Sequence, residues 1–329
     1  MRAAVITRPS GPDVLEIRDV DAPRPGTGEV LVRVRGSALN RADVLQRQGR
    51  YPAPPGAPAD IPGLEFAGEI AELGPNASRW RVGQRVFGLA AGGAHAELIT
   101  AHERTLAELP DSLSWTDAGA TPEAFITAHD ALITQAQLRR GERLLIHAVG
   151  SGVGLAALQL ARAIGAVPFG TSRTADKLER AREHGLEQGI ALDDLASLAP
   201  AVAEWTGGLG MDVVLDLVGG PFAGASVATL ALHGRLMLVG TVAGGRTELD
   251  LGRVLHNRLT IRGTVLRARG LEEKALATEA FTADVVPLLA RGTVRPVIDS
   301  RFPLARTADA HARLESNATF GKVALGIPD

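Results

Sequence analysis

The sequence predicts an α/β protein of two domains, one rich in β-strands and one built on a parallel sheet of six strands with helices on both faces. The length of 329 residues favours about two domains. Up to about residue 120, short strand-like segments alternate with turns, whereas from about residue 124 strands alternate with helical segments. The second pattern is typical of a doubly wound parallel sheet.

The β-rich part begins with the strand Met1–Ile6, an apolar run too short to be a signal peptide. The segment Glu29–Arg35 alternates apolar and charged residues, as a half-buried strand does. Two further strands are expected at Phe66–Leu73 and Gln84–Leu89, each bounded by Gly or Pro. This part of the chain therefore predicts a mostly β, partly open barrel.

The second part predicts six strands and five helices. The strands are expected at 143–149, 167–170, 188–192, 211–217, 235–240 and 259–265, and the helices at 154–164, 175–184, 196–205, 222–232 and 271–290. Six such strands fit the order 3-2-1-4-5-6 of dinucleotide-binding sheets. The tail, Thr293–Leu325, returns to strands and turns, so we expect it to rejoin the first domain. The predicted domains are therefore 1–123 with 292–329, and 124–291.

Composition narrows the function classes. The chain has no cysteine, which excludes disulfides, thiolate zinc sites and a cysteine nucleophile. A formal net charge of -2 gives no electrostatic reason to bind nucleic acid or an anionic membrane. No stretch approaches the ~18 apolar residues that a membrane helix needs. A cytoplasmic protein without nucleic-acid or membrane partners is expected.

A glycine-rich turn, Ala148–Gly154, follows the first strand of the second part and leads into a helix. Glycines at such a turn let the backbone approach a pyrophosphate, and the helix N-terminus offers unpaired N–H groups. A tight turn without a ligand is the alternative, but the strand before and the helix after favour a Rossmann nucleotide site. Ser151 stands where the usual pattern has a glycine, and its hydroxyl is expected to contact the cofactor. The predicted cofactor residues here are Gly150, Ser151, Gly152, Val153 and Gly154.

The end of the second strand decides between NADH and NADPH. An NAD site normally places an acid about 20 residues after the turn, against the ribose 2′-hydroxyl. Here the strand ends in Ser172 and Arg173, the first acid is Asp176, and Lys177 follows. Hydroxyl, guanidinium and ammonium groups suit a 2′-phosphate, so Ser172, Arg173 and Lys177 predict NADPH. Solvated charges in the first turn of a helix are the alternative.

The motifs together resemble the zinc-independent quinone oxidoreductase branch of the medium-chain dehydrogenases/reductases, which includes zeta-crystallin. Within that branch the pattern is most similar to the type associated with stress and cell-death responses. The resemblance covers essentially the whole chain and implies a GroES-like catalytic domain with a Rossmann domain that binds NADP. The motifs that carry it are Gly11-Pro12, Ser37–Asp43, Gly63–Glu65, His147–Gly154, Asp216–Gly220 and Gly321-Lys322.

The chain departs from the zinc alcohol dehydrogenases at the metal positions. Asn40 stands where that branch has its first cysteine ligand, and Leu64 where it has a histidine. No metal is therefore expected. Hydride transfer involving an alcohol passes through an alkoxide of parent pKa about 15.7, which zinc stabilises as a Lewis acid. Reducing a quinone gives a phenolate-like anion of parent pKa about 10. Forming this anion requires roughly 8 kcal/mol less stabilisation than forming the alkoxide.

The resemblance implies roles for residues of the first domain. Tyr51, the only tyrosine, is expected near the nicotinamide, where it orients the cofactor or delivers a proton; a ring that covers the barrel edge is the alternative. Asn40 is expected to bind the ribose or the acceptor oxygen. Asp43 lies three residues further on. For Asp43 a role in the site beside Asn40 and a purely structural hydrogen-bonding role are equally open. Glu65 is expected to accept backbone N–H groups.

The resemblance also adds cofactor residues that no local pattern predicts. It places Thr127 near the diphosphate, Leu266 beside the nicotinamide and Asn317 near the 2′-phosphate, and it adds Gly240 and Thr241 after the fifth strand. Core or turn roles are the alternative for each. Some relatives have a tyrosine after the third strand that stacks on the adenine ring. This chain has Leu192 there, so we expect weaker binding of the adenine.

The leading hypothesis from the sequence is an NADPH:quinone reductase with a small-molecule quinone substrate. The alternative is an NADPH-dependent reductase of conjugated enones, alkenals or enoyl thioesters. A third hypothesis is a non-catalytic, crystallin-like protein that binds nucleotide or RNA, against which the net charge of -2 argues. By resemblance the enzyme is expected to be a homodimer, with the strand Leu259–Val265 paired across a two-fold axis.

Overall fold

The computed structural model describes residues 1–328; Asp329, the last residue of the predicted piece 292–329, lies outside the described residues. The chain forms two compact units, one of Met1–Ile126 together with the residues from Leu266 onward, and one of Thr127–Val265. The chain thus leaves the first unit after Ile126 and returns to it at Leu266.

Strands and helices are numbered here in chain order. Within residues 1–328 the strands are β1 Arg2–Ile6, β2 Leu15–Asp19, β3 Glu29–Leu39, β4 Glu65–Leu73, β5 Arg85–Leu89, β6 Leu98–His102, β7 Leu106–Glu108, β8 Arg143–Ile146, β9 Val167–Ser172, β10 Gln188–Ala191, β11 Met211–Asp216, β12 Leu230–Leu238, β13 Thr260–Gly263, β14 Ile298–Pro303 and β15 Lys322–Gly326. The α-helices are α1 Arg41–Arg47, α2 Trp115–Gly119, α3 Pro122–His129, α4 Gly152–Ile164, α5 Ala175–Arg182, α6 Leu198–Thr206, α7 Pro221–Thr229, α8 Leu251–His256, α9 Leu271–Asp284, α10 Val286–Ala290 and α11 Thr307–Glu315. None of the helices in this part of the chain is both long and apolar enough to cross a bilayer.

The first unit contains a sheet of seven strands in the order β14-β15-β3-β4-β5-β7, with β6 also paired to β3. The alternation predicted for the start of β3 is seen there, because Val30, Val32 and Val34 point into the core while Arg33 is exposed. The C-terminal strand β15 pairs antiparallel with β3, which places Val323 opposite Leu39. The last strand of the chain therefore lies beside the segment that leads into α1.

The second unit contains a parallel sheet in the order β10-β9-β8-β11-β12-β13. This is the order 3-2-1-4-5-6 predicted from the alternation of strands and helices, and the α/β fold class with a Rossmann sheet is confirmed. The inner strands β8 and β11 are buried along their length, as in a sheet covered on both faces. Residues that follow the carboxyl ends of these strands meet at one edge of the sheet.

The long helix predicted at 271–290 differs from the structure in two ways. It is interrupted at Val285 and continues as α10, because Pro287 has no N–H to donate within the helix. It also belongs to the first unit, whereas the sequence-based boundary at residue 291 assigned it to the second. Phe281 packs edge-on against Phe87 of β5 with ring centroids 5.7 Å apart, which fixes α9 on the first unit.

Two further element predictions were wrong. The helix expected at 222–232 ends at Thr229, and Leu230 already pairs with Met211 in the parallel sheet. The tail that was expected to contain only strands and turns also contains α11. Its buried residue Ala310 packs with Leu39 and Val323 of the sheet, so tertiary packing stabilises this short helix.

Candidate active site

The glycine-rich turn of the second unit has the geometry of a phosphate-binding loop. Strand β8 ends at Ile146, and α4 begins at Gly152 after a turn in which Ala148 has a φ of 52°. A Cβ at Gly154 would lie 2.6 Å from the carbonyl oxygen of Ala148, so only glycine fits where the helix crosses the strand end.

The first turn of α4 has unpaired donors. Ser151 is the N-cap residue, and its Oγ accepts a hydrogen bond from the N–H of Gly154 at 3.1 Å. The N–H groups of Gly152 and Val153 have no acceptor among residues 1–328. Two free donors at the positive end of a helix dipole fit a pyrophosphate. The hydroxyl of Ser151, which the sequence assigned to the cofactor, caps the helix here.

The other predicted cofactor residues of the second unit lie at the same edge of the sheet, with one exception. Ser172 ends β9, and Lys177 lies in the first turn of α5, where its side chain is largely buried. Arg173, between them, is exposed. Gly240 and Thr241 follow β12, and a Cβ at Gly240 would clash with the carbonyl group of Leu217. Thr127 is the exception, since it lies within α3 and is buried.

The acid nearest the predicted 2′-phosphate position is turned toward the backbone of its own helix. The side chain of Thr174, with the N–H of Lys177, hydrogen-bonds the carboxylate of Asp176 and lowers its pKa. This places a negative charge at the helix N-terminus, where the dipole favours it. Ser172, in turn, accepts a hydrogen bond from the N–H of Thr174 at 3.4 Å.

The first unit holds a buried ion pair between Lys322 and Glu65. Lys322 Nζ lies 2.6 Å from Glu65 Oε1 and 2.6 Å from Asn40 Oδ1, and it also donates to the carbonyl oxygen of Leu39 at 3.0 Å. Asn40 Nδ2 donates to Glu65 Oε1 at 2.9 Å. The second carboxylate oxygen of Glu65 accepts the N–H of Glu123 at 2.9 Å. Every oxygen of this carboxylate thus has a partner.

This donor set does not suit a metal ion. The positive charge beside Glu65 comes from the Lys322 ammonium, which cannot act as a ligand. Leu64, which stands where the zinc alcohol dehydrogenases have a histidine ligand, is buried and apolar. In the part of the chain that the structure describes, no three side chains of His, Asp or Glu are grouped closely enough to hold a metal.

Asp43 organises the turn before α1. One of its oxygens accepts the N–H of Asn40 at 2.7 Å, and the other accepts the N–H of Gly63 at 2.8 Å. The carboxylate is completely buried and both oxygens are engaged. Of the two readings left open by the sequence, these contacts support the structural hydrogen-bonding role.

A second group of side chains in the first unit surrounds Tyr51; we call Tyr51, Glu123, Arg267 and Lys274 the Arg267 cluster. The guanidinium of Arg267 lies over the ring of Tyr51, 5.1 Å from its centroid. Its Nη2 donates to Gln46 Oε1 at 2.6 Å and its Nε to the carbonyl oxygen of Ala91 at 2.8 Å. Glu123 lies in the first turn of α3 and Lys274 in the first part of α9.

Burial shifts the titration of this cluster. The pKa of Glu123 is raised to about 8, chiefly by burial and then by the negative charge of Glu65. Burial also raises the pKa of Tyr51, although the charge of Arg267 opposes the change. The pKa of Lys274 is lowered by burial. Glu123 therefore carries a proton near neutral pH.

Of the four residues in this cluster, the sequence analysis singled out only Tyr51. It missed Glu123, Arg267 and Lys274. Arg267 follows directly after the predicted residue Leu266, and Lys274 is one of only three lysines. Leu266 itself is buried in the first unit. Asn317, the remaining predicted residue, has a φ of 61° after α11, and its Oδ1 accepts a hydrogen bond from Arg41 at 2.7 Å.

Comparison with known proteins gives the family. Residues 26–111 match the alcohol dehydrogenase GroES-like domain, and residues 152–282 match the zinc-binding dehydrogenase model. The quinone oxidoreductase of Pseudomonas aeruginosa is 35% identical over 316 residues, which are 96% of each chain. The chain belongs to the quinone oxidoreductase family of medium-chain dehydrogenases/reductases. The quinone oxidoreductase of Homo sapiens is 29% identical over 328 residues, 99% of this chain and 97% of the human one.

This family membership makes the chain an oxidoreductase, and solved structures agree with the fold. Mycobacterial Rv1454c complexed with NADPH is 29% identical, with a TM-score of 0.89 over 99% of this chain and 100% of the other. CurK enoyl reductase is 25% identical, with a TM-score of 0.87 over 99% of both chains. The resemblance and the GroES-like fold predicted from the sequence are confirmed.

Four of the eight histidines, His95, His129, His147 and His311, are packed in the core. His147 is completely buried, with its ring nitrogens 2.9 Å from Thr171 Oγ1 and 2.8 Å from Ser226 Oγ, and burial lowers its pKa to about 3. His95 is completely buried 6.0 Å from the ring of His311. A neutral, buried imidazole that links two hydroxyls is a structural group.

Proposed function

We propose that this oxidoreductase is an NADPH-dependent, zinc-independent quinone reductase. The observation that carries the proposal is the ion pair between Lys322 and Glu65 beside Asn40, the residue that stands in place of a cysteine ligand in the sequence pattern of the zinc alcohol dehydrogenases. A site without a Lewis acid favours acceptors that delocalise the incoming charge, as quinones do.

The chain has the groups that a nicotinamide dinucleotide requires. The N–H groups of Gly152 and Val153 would bind its pyrophosphate, with Gly150 in the same turn and Gly154 where the helix packs on the strand end. Ser172, Arg173 and Lys177 would surround the 2′-phosphate, with Gly240 and Thr241 at the same sheet edge. When bound, NADPH supplies a hydride. Thr127, Leu266 and Asn317 remain proposed cofactor residues, and Tyr51 and Asn40 proposed catalytic ones.

A second candidate function is the reduction of conjugated enones, alkenals or enoyl thioesters. The similarity to CurK enoyl reductase, at 25% identity over 99% of the chain, favours it. These acceptors also place the incoming charge on an oxygen conjugated to the reacting bond. Both reactions therefore require the first unit to stabilise a similar negative charge on the acceptor oxygen.

A matched acceptor panel separates the two functions. We expect NADPH-dependent reduction of ortho-quinones with a kcat/KM at least tenfold above that for enones of similar size, and no loss of rate with a metal chelator. The measurement is steady-state loss of NADPH absorbance with each acceptor. A higher kcat/KM for enones would move the assignment to the second function, and stoichiometric zinc in the active protein would refute the metal-free reading.

We further propose a homodimer through β13. This strand is at the edge of the sheet and pairs with β12 on one side. The helix that precedes it, α8, exposes Leu251 and Leu255, and Val265 after the strand is also exposed. An edge strand beside exposed apolar residues is a site for pairing with another chain.

The dimer is tested by one substitution and a matched control. Leu255→Asp, at a side chain 75% exposed, is expected to convert the dimer to a monomer because it buries a charge at the interface. Leu209→Asp, at a side chain 69% exposed between α6 and β11, should leave the dimer intact. Light scattering after size exclusion reads the mass. A wild-type monomer, or a dimer in both variants, contradicts the proposal.

A further inference from the structure

The Arg267 cluster contains a buried cation without a carboxylate partner. Arg267 is 5% exposed, and its hydrogen bonds go to Ala91 O, Gln46 Oε1 and, at 3.5 Å, Tyr51 O. All three acceptors are neutral, and within the described residues Arg267 forms no ion pair. A buried charge without a counter-charge is costly to the fold. Such a group is suited to stabilise negative charge that develops in its neighbourhood during a reaction.

Glu123 is the second unusual member of the cluster. Its N–H is held by Glu65, but its carboxyl group makes no hydrogen bond to any residue that the structure describes. The side chain is half-buried, so neighbouring residues remove much of its water while a ligand can still reach it. The charged and titratable groups around it are Glu65, Asp43, Lys322 and Arg267, together with Tyr51 and Lys274.

We propose that Glu123 is the acid that protonates the reduced acceptor, and that Arg267 stabilises the acceptor's negative charge until the proton arrives. This inference rests on the quinone reductase function proposed above. It assigns a catalytic role to a carboxyl group with no structural partner and to a guanidinium that the fold buries without an ion pair.

The acid strengths favour Glu123 over Tyr51 as the proton source. Because the pKa of Glu123 is raised to about 8, its carboxyl group is mostly protonated at pH 7. The pKa of Tyr51 is raised above its ordinary value of 10.0, so the phenol releases its proton less readily. An acid of pKa about 8 protonates a phenolate-like anion of parent pKa about 10 with an equilibrium constant of roughly 100.

The step balances with one hydride and one proton. The quinone gains two electrons and a hydrogen as hydride from the reduced nicotinamide, and becomes a quinol anion. The O–H bond of the Glu123 carboxyl then breaks, and a new O–H bond forms on the quinol oxygen. Glu123, left as a carboxylate, regains its proton from water before the next turnover.

Kinetics of Glu123→Gln test the role. We expect kcat at pH 7 to fall about 100- to 1000-fold, within the usual range for loss of a general acid, with KM for NADPH unchanged. The wild-type kcat should decline above pH 8, and this decline should be absent in Glu123→Gln. Glu123→Asp, which keeps an acid, should retain the decline and part of the rate. Glu108→Gln, at an exposed glutamate of β7, is the matched control and should resemble wild type.

Infrared spectroscopy provides a readout that needs no turnover. The difference spectrum between wild type and Glu123→Gln, without cofactor, should show a protonated carboxyl at pH 7 that disappears by pH 9. An ionised Glu123 at pH 7, or full activity of Glu123→Gln with an unchanged pH profile, overturns the inference while quinone reductase activity stands. Wild-type protein that reduces no quinone refutes the proposed function, whatever the infrared titration shows.

Discussion

Replacement of Lys322 by Met is expected to lower the free energy of unfolding by about 3–5 kcal/mol. Lys322 and Glu65 are both almost completely buried, and their charged atoms lie 2.6 Å apart. Without the ammonium, Glu65 keeps a buried negative charge with only Asn40 and one backbone N–H to stabilise it. An unpaired buried charge is among the most destabilising changes that one substitution can make.

Urea denaturation of the variant measures this effect. Arg18→Met is the matched control, because Arg18 pairs with Glu16 at 2.8 Å while both side chains are about half exposed, 51% and 53%. Loss of such a surface pair should cost less than about 1 kcal/mol. The double variant Glu65→Gln/Lys322→Met should recover much of the lost stability, because neither charge remains. Equal stability of Lys322→Met and wild type would show that the pair is not needed to keep Glu65 buried.

Lys177→Ala is expected to weaken NADPH binding about 10- to 100-fold and to leave NADH binding nearly unchanged. A hydrogen bond between charged groups contributes roughly 1.5–3 kcal/mol, and only NADPH has the 2′-phosphate that would accept it. Lys177 lies in the first turn of α5, next to the end of β9, where a dinucleotide-binding sheet places the adenosine ribose.

Calorimetric titration of each cofactor into wild type and variant tests this prediction. Arg182→Ala removes an exposed cation from the last turn of the same helix and should change neither affinity more than about twofold. If Lys177→Ala loses affinity for NADH and NADPH equally, the lysine stabilises the structure of α5 and does not bind the 2′-phosphate. An unchanged NADPH affinity would remove the basis for preferring NADPH over NADH.

Local sequence patterns were sufficient to predict the order of the strands in the second unit. The glycine turn Ala148–Gly154 and the alternation of strands and helices predicted the sheet order and the position of the turn between β8 and α4. Both signals arise within a few neighbouring residues, since a strand, a tight turn and a helix N-terminus follow one another in the chain. The boundary error at Leu230 occurred where sheet pairing overrides a helical pattern, and the error at Pro287 where a proline interrupts the helix.

The polar groups of the first unit required the tertiary structure. Lys322, Glu65 and Asn40 are separated by up to 282 residues, and only the antiparallel pairing of β15 with β3 brings them together. Glu123 and Arg267 look like ordinary charged residues in the sequence, because burial and unpaired charge are properties of the folded environment. The sequence by itself determined the family and the sheet order. The fold alone decided that a lysine holds Glu65, that Asp43 supports a turn, and that an acid and a guanidinium lie beside Tyr51, since charge and solvation there depend on residues distant in the chain.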